Sequence, residues 1–292
     1  MGETNKALRR ALHKGAGVIV PGAANAVTAR IIERLGFPAV YVTGAGVANA
    51  YLGVPDIGLV TLSELADNVA AMRDCCALPL IVDADTGFGN EANVARTVAV
   101  LERAGASAIQ LEDQEFPKRC GHFAGKSVIE AAAMAEKVKA AVDARRDNDM
   151  LVIARTDAIA VTGLEDALDR ARRYIEAGAD LTFVEAPRTE ADMALIAGTL
   201  PVPQVANIVA GGLTPMLPRA ALARVGYALI LYANAALQAA MLATKDVLAH
   251  LREQGSLAGI EDRLMGFDER QETVGKAAWD ALERRHKRDD VP

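Results

Sequence analysis

The chain has 292 residues, 51% of them hydrophobic and 24% charged, and its 32 basic and 38 acidic side chains leave a net charge of −6. That length is short for two full enzyme domains and suits one α/β barrel, which commonly uses about 250 residues. The acidic balance counts against a nucleic-acid protein, whose phosphate contacts need a basic face, but a few local cations or a metal can still hold a small anion.

No apolar secretion core precedes Val18, so no signal peptide is expected. Short apolar, β-rich runs then recur along the chain. They are Gly17–Pro21, Ala39–Thr43, Leu78–Ala84, Ala108–Glu112, Leu151–Thr156, Leu181–Glu185, Gln204–Ile208 and Tyr227–Tyr232. Continuous rather than alternating apolar runs predict strands buried on both faces, as in a parallel sheet covered by helices. Amphipathic stretches such as 93–104 and 164–177 separate them. The phrases at 103–106 and 176–180, each with a central Gly, read as helix ends leading into the next strand.

Eight β-then-α units predict a closed (β/α)8 TIM barrel with a C-terminal helical extension. A doubly wound open sheet is the competitor, but the glycines at 44 and 46 lack the third glycine of a dinucleotide fingerprint. The expected organisation is one domain over 1–292, with its C-terminal helices at about 245–292.

Beyond the eighth strand the pattern predicts a helix over 235–253 and a last helix over about 271–287. The last carries Val274, Ala277, Trp279 and Leu282. A helix with such a face needs a partner, either its own barrel or a neighbouring subunit. The expectation is a homo-oligomer, dimer or tetramer, and a swap of these helices between subunits is one way to cover that face. Asn234 and Gln238 break the longest apolar region, 227–243, which therefore reads as strand then helix and not as a membrane span. Three cysteines, two of them adjacent (Cys75, Cys76), cannot build a disulfide framework, and a cytoplasmic location is expected.

Strand ends carry the chemistry in such barrels, because the loops that follow them build the pocket. Asp83, Asp85, Glu112 and Asp113 bring four carboxylates from two neighbouring strands, too many to bury unpaired. A hard divalent cation such as Mg²⁺ would resolve the conflict. The alternative is that some of them cap helices or pair with Arg155. A second cluster is the basic, glycine-containing loop from Lys118 to Lys126. There Cys120 lies among cations that favour its thiolate, and glycines permit movement over a pocket. Zinc is excluded for Cys120 and His122, since no second ligand pair has the right spacing.

Several stretches together resemble one family. They are Tyr41 to Gly46, Pro55-Asp56, Asp83 to Gly89, Gln110 to Asp113, the Lys118–Lys126 loop, Ala154 to Asp157 and Ala206 to Ile208. They are similar, in register from about residue 8 to the final helix, to the isocitrate lyase and phosphoenolpyruvate mutase superfamily. The most similar branch is its short lyases, which act on methylisocitrate, 2,3-dimethylmalate and related 2-alkylmalates.

The resemblance implies a Mg²⁺-dependent enzyme, with Mn²⁺ as a substitute, that cleaves a 2-hydroxy carboxylate by retro-aldol chemistry. The products would be a 2-oxo acid such as pyruvate and a second carboxylic acid. It implies that Asp83 and Asp85 hold the metal, directly or through water, while Asp56 and Glu112 fix its waters. Thr43, Gly44 and Ala45 would hold the oxo-acid carboxylate. Arg155 would contact the substrate oxygen or carboxylate, with Gly121, His122, Glu185 and Asn207 lining the pocket. Cys120 would protonate the departing carbanion, and Tyr41 could help to take the hydroxyl proton.

Three positions depart from the family pattern. Gln238 stands where an arginine is expected in methylisocitrate-cleaving members, Ala210 where a glutamate is usual, and Leu213 where many members are polar. These point to a smaller or alkyl-substituted malate. Alternatives on the same barrel are phosphonopyruvate or phosphoenolpyruvate mutase or hydrolase chemistry, and oxaloacetate decarboxylation or hydrolysis. A non-catalytic carboxylate-binding protein is the remaining class.

Overall fold

The computed structural model describes residues 2–121 and 125–286. Eight strands run β1 (Val18–Ala23), β2 (Val40–Val42), β3 (Leu80–Asp83), β4 (Ala108–Glu112), β5 (Leu151–Thr156), β6 (Leu181–Val184), β7 (Gln204–Asn207) and β8 (Tyr227–Tyr232). Each pairs in parallel with the next, and β1 pairs with β8, so the sheet closes as a (β/α)8 TIM barrel. All eight expected runs coincide or overlap with a strand: β4, β5 and β8 match to the residue, β1 runs two residues further, and β2, β3, β6 and β7 are shorter by one to three residues.

The double-sided burial read from the sequence splits into two apolar layers. Leu151 and Ile153 of β5 face the barrel interior with Val20, Ile81, Phe183 and Leu229. Val152 and Ala154 alternate outward, onto a layer that includes Val98, Leu101 and Val138 from the surrounding helices. Side chains of successive strand residues point to opposite faces, so one apolar run supplies both cores. Capping boxes at Thr61/Glu64, Asn90/Asn93 and Thr189/Asp192 start the helices Leu62–Arg73, Glu91–Ala104 and Glu190–Thr199. They satisfy backbone donors that a helix start leaves orphaned.

An N-terminal helix, Gly2–Ala11, was not foreseen. Leu8, on this helix, and Leu12, just after it, join the interior cluster beside Ala39, Ala108 and Leu181, at the strands' N-terminal ends. The interior is thus packed shut at that end, which leaves the opposite end for polar chemistry.

By its contacts the chain divides into two compact units, residues 1–237 and 238–292. The second holds most of the helix Ala235–Gln254 and the helices Phe267–Thr273 and Lys276–His286. The single last helix expected over 271–287 is instead two, interrupted at Gly275, whose φ of +75° ends the helical path. Among the described residues no helix is long and apolar enough to cross a membrane.

Candidate active site

The C-terminal ends of the strands converge on one pocket. Its walls include Tyr41, Thr43, Ala45, Asp56 and Asp83 on one side, and Cys120, Gly121, Arg155, Glu185 and Asn207 on the other. Residues named from seven separate stretches of sequence are therefore neighbours in space. The sheet register explains the pairing, since Asp83 lies beside Gln110 and Glu112 beside Arg155 on adjoining strands. His122 lies outside the described residues.

Three participants went unassigned in the sequence. Gln110 is buried in the middle of β4 and accepts the Tyr41 hydroxyl proton at 2.7 Å. It then donates to Asp83 Oδ1 at 3.1 Å. Burial, followed by the charge of Asp83, pushes the Tyr41 hydroxyl well above its ordinary range, so Tyr41 acts in this chain as a donor. Asn234, in the pocket wall after β8, accepts from the Thr43 hydroxyl at 3.3 Å. Its signal was a polar residue interrupting an apolar run. The third is Lys118, buried, whose ammonium pairs with Asp56 and lies 2.8 Å from Asp85. Burial opposes its charge, but Asp85, Glu112, Asp56 and Asp83 outweigh it and hold the amine well above the usual lysine range.

Asp85 has a φ of +49°, a left-handed conformation that Asp tolerates and that clusters at functional sites. Its carboxyl is pushed up to about 7, chiefly by burial, with Lys118 pulling the other way. Arg155 is held flat by two hydrogen bonds to Asp157, at 2.9 and 3.0 Å. It also lies 3.3 Å from Glu112 and 5.2 Å above the Phe183 ring. Burial penalises the Asp157 carboxylate, yet Arg155 and Lys126 keep it below the ordinary range. A planar guanidinium fixed in this way holds its remaining donors in a set direction.

Asp113 must be removed from the metal reading. The alternation of β4 continues past the strand, so Asp113 turns away from Glu112 and the pocket. It accepts hydrogen bonds from the Tyr174 hydroxyl at 2.8 Å and the Asp157 backbone at 3.0 Å, and Arg170 approaches to 3.4 Å. The alternative pairing with Arg155 holds for Glu112 and Asp157.

The residues present fit a hard divalent cation. Glu112 Oε1 is buried with no hydrogen-bond partner among the described residues, which marks a position for a cation or its water. A Cβ on Gly44 would sit 3.1 Å from Asp85 Oδ1 and 3.2 Å from Asp83 Oδ2, so only glycine leaves that cradle unfilled. Among the described residues no three ligating side chains form a ready-made cage. Sparse carboxylates of this kind suit Mg²⁺, which keeps several of its waters. Two of the departing positions lie elsewhere: Ala210 and Leu213 are exposed and outside the pocket wall.

Residues 8–252 match the family model described as phosphoenolpyruvate phosphomutase. The chain is 44% identical over 258 residues to 2,3-dimethylmalate lyase of Eubacterium barkeri, covering 88% of this chain and 89% of that protein. It is 41% identical over 270 residues to 2-methylisocitrate lyase of Salmonella typhimurium, covering 92% of each. Among solved structures, oxaloacetate acetylhydrolase with 3,3-difluorooxalacetate superposes with a TM-score of 0.92 at 30% identity, covering 99% of each chain. Phosphonopyruvate hydrolase with oxalate and Mg²⁺ gives 0.87 at 32% identity, covering 97% of this chain and 99% of that one. Barrel, strand-end acids, basic thiol loop and these likenesses agree: the chain belongs to the phosphoenolpyruvate mutase/isocitrate lyase superfamily of enzymes.

Proposed function

We propose that the protein is a Mg²⁺-dependent carbon–carbon lyase that cleaves a 2-alkylmalate-like 2-hydroxy acid to pyruvate or another 2-oxo acid plus a carboxylic acid. The observation that carries this reading is the convergence in one pocket of an acidic cluster, a fixed guanidinium and a thiol. Among the described residues of the pocket wall, Arg155 is the one cation. That favours a dicarboxylate over a tricarboxylate.

Arg155 and the Thr43–Ala45 turn hold the substrate carboxylates, and Asn207 and Glu185 close the wall. The C2 hydroxyl proton passes to the acidic cluster and the C2–C3 bond breaks, its electron pair remaining on C3 beside the departing carboxylate. The Cys120 thiol gives its proton to C3, and the thiolate is reprotonated from solvent. Mg²⁺, which Asp83, Asp85, Asp56 and Glu112 would hold directly or through water, would supply Lewis-acid stabilisation of negative charge on the substrate. A thiol with a pKa near the working pH is an effective acid for such a step, worth about 100- to 10,000-fold.

The test is a panel of 2-alkylmalates, methylisocitrate, oxaloacetate and phosphonopyruvate, read by product release. The expected result is 2-oxo acid from a malate, lost with EDTA and strongly reduced in Cys120→Ser. Turnover of oxaloacetate or phosphonopyruvate with no malate cleaved, or full activity in Cys120→Ser, overturns the reading.

We also propose a homo-oligomer. The helix Ala235–Gln254 has no buried residue, and Leu248, Trp279 and Leu282 are exposed, more apolar surface than a lone chain usually shows to water. Light scattering showing a monomer at micromolar concentration would refute this.

A further inference from the structure

Lys126 follows the described Cys120–Gly121 stem by five residues and returns to it. Its ammonium donates to the Gly121 carbonyl at 2.5 Å and lies 2.7 Å from Asp157 Oδ1. Its side chain is 1% exposed and that of Asp157 is 0%. The same Asp157 carboxylate grips Arg155 through two hydrogen bonds, at 2.9 and 3.0 Å. It is braced from behind by Asp113, which accepts the Asp157 N–H at 3.0 Å.

Gly121 is pressed onto this clamp. A Cβ there would lie 2.4 Å from Arg155 Nη2 and 2.6 Å from Glu185 Oε1, so the backbone next to Cys120 reaches the guanidinium only because the side chain is absent.

Arg155 is shared among the buried carboxylates Asp157, Glu112 and Glu185, so charge explains a second cation beside Asp157 but not its contact with the Gly121 carbonyl. That contact adds little charge neutralisation. What it does is fix the distance between the thiol-bearing stem and Arg155.

We propose that Lys126 is a positioning residue that, by bridging Gly121 and Asp157, holds Cys120 in register with Arg155. The acid and the carboxylate clamp then meet one substrate as a unit. What the thiol protonates rests on the lyase reading; the bridge itself does not.

The test compares Lys126→Met and Lys126→Arg with wild type, with thermal melts to establish folding. The first readout is amide hydrogen exchange in the peptide containing Cys120, whose N–H donates to the Asp56 carbonyl at 3.2 Å. Exchange there is expected to rise at least about tenfold in Lys126→Met and to return towards wild type in Lys126→Arg, because opening frequency sets exchange. The second is kinetics, where kcat falls roughly 10- to 100-fold, the scale of a small misplacement, with KM changed much less. Should Lys126→Met fail to fold, Lys126→Gln, which keeps a donor without the charge, takes its place in both readouts. Unchanged exchange in the folded variant overturns the proposal, whatever the kinetics. Raised exchange in a protein whose wild type cleaves no 2-hydroxy acid sinks the lyase reading and leaves the bridge standing.

Discussion

Glu112 and Asp113 are consecutive carboxylates, both buried at the end of β4, yet their surroundings are opposite. Glu112 meets Arg155, a residue of the pocket wall, at 3.3 Å through one oxygen, and has no hydrogen-bond partner on the other among the described residues. Asp113 faces the helices, where Tyr174, Arg170 and the Asp157 backbone all reach it. Burial pushes both carboxyls above their ordinary range, Glu112 well above it, whereas hydrogen bonds from Asp157, Thr156 and Tyr174 partly offset the shift for Asp113. A satisfied buried acid braces the frame, and a half-satisfied one is available for chemistry.

The comparison breaks most visibly at Asp113. Asp113→Ala strands Tyr174, Arg170 and the Asp157 N–H, and is expected to cost about 3 to 5 kcal/mol of stability, measured by urea unfolding. The fraction still folded should retain kcat within a few-fold. Equal loss of activity per folded molecule would make Asp113 part of the site.

Glu112→Gln should do the reverse, lowering kcat about 100- to 1,000-fold while leaving the unfolding midpoint unchanged or raised. A large drop in stability with kcat preserved would exchange the two roles.

The acid dependence sharpens the same contrast. A carboxyl whose folded pKa exceeds its unfolded value binds more protons when folded. Stability contributed by that proton is therefore complete below the unfolded pKa and is lost as pH rises through the folded one. Wild-type protein in EDTA should lose unfolding free energy as pH rises out of the ordinary carboxylate range and through the raised folded pKa of Glu112, and Glu112→Gln should flatten that slope. An unchanged slope in the variant removes Glu112 as its source.

The smallest effect is expected at Tyr227, whose buried hydroxyl has no partner among the described residues and lies outside the pocket wall. Tyr227→Phe should be neutral or stabilising by up to about 1 kcal/mol, with kcat unaltered. Lost activity would extend the functional meaning of unpaired atoms beyond the pocket.

Much of this arrangement was legible in the chain. Eight apolar runs fixed the strand count, because a parallel barrel must bury both faces of every strand. Strand ends located Asp83, Glu112, Arg155, Glu185 and Asn207, since loops build the pocket at that end. Less visible were contacts that depend on where a side chain turns. Lys118 belongs to a loop read mainly for its thiol, and Gln110 lies within a strand read as core. The N-terminal helix was missed because the stretch is short and largely polar, with Leu8 and Leu12 buried only in the folded barrel.

The sequence by itself determined the barrel, its functional end and the types of group gathered there, because period and spacing are local properties. Tertiary structure decided which acid is which. Glu112 and Asp113 are chemically near-equivalent on paper, and only closure of the sheet sets one against Arg155 and the other against Tyr174. The same closure brings Lys126 onto Asp157, a pairing 31 residues apart in the chain that no local pattern encodes.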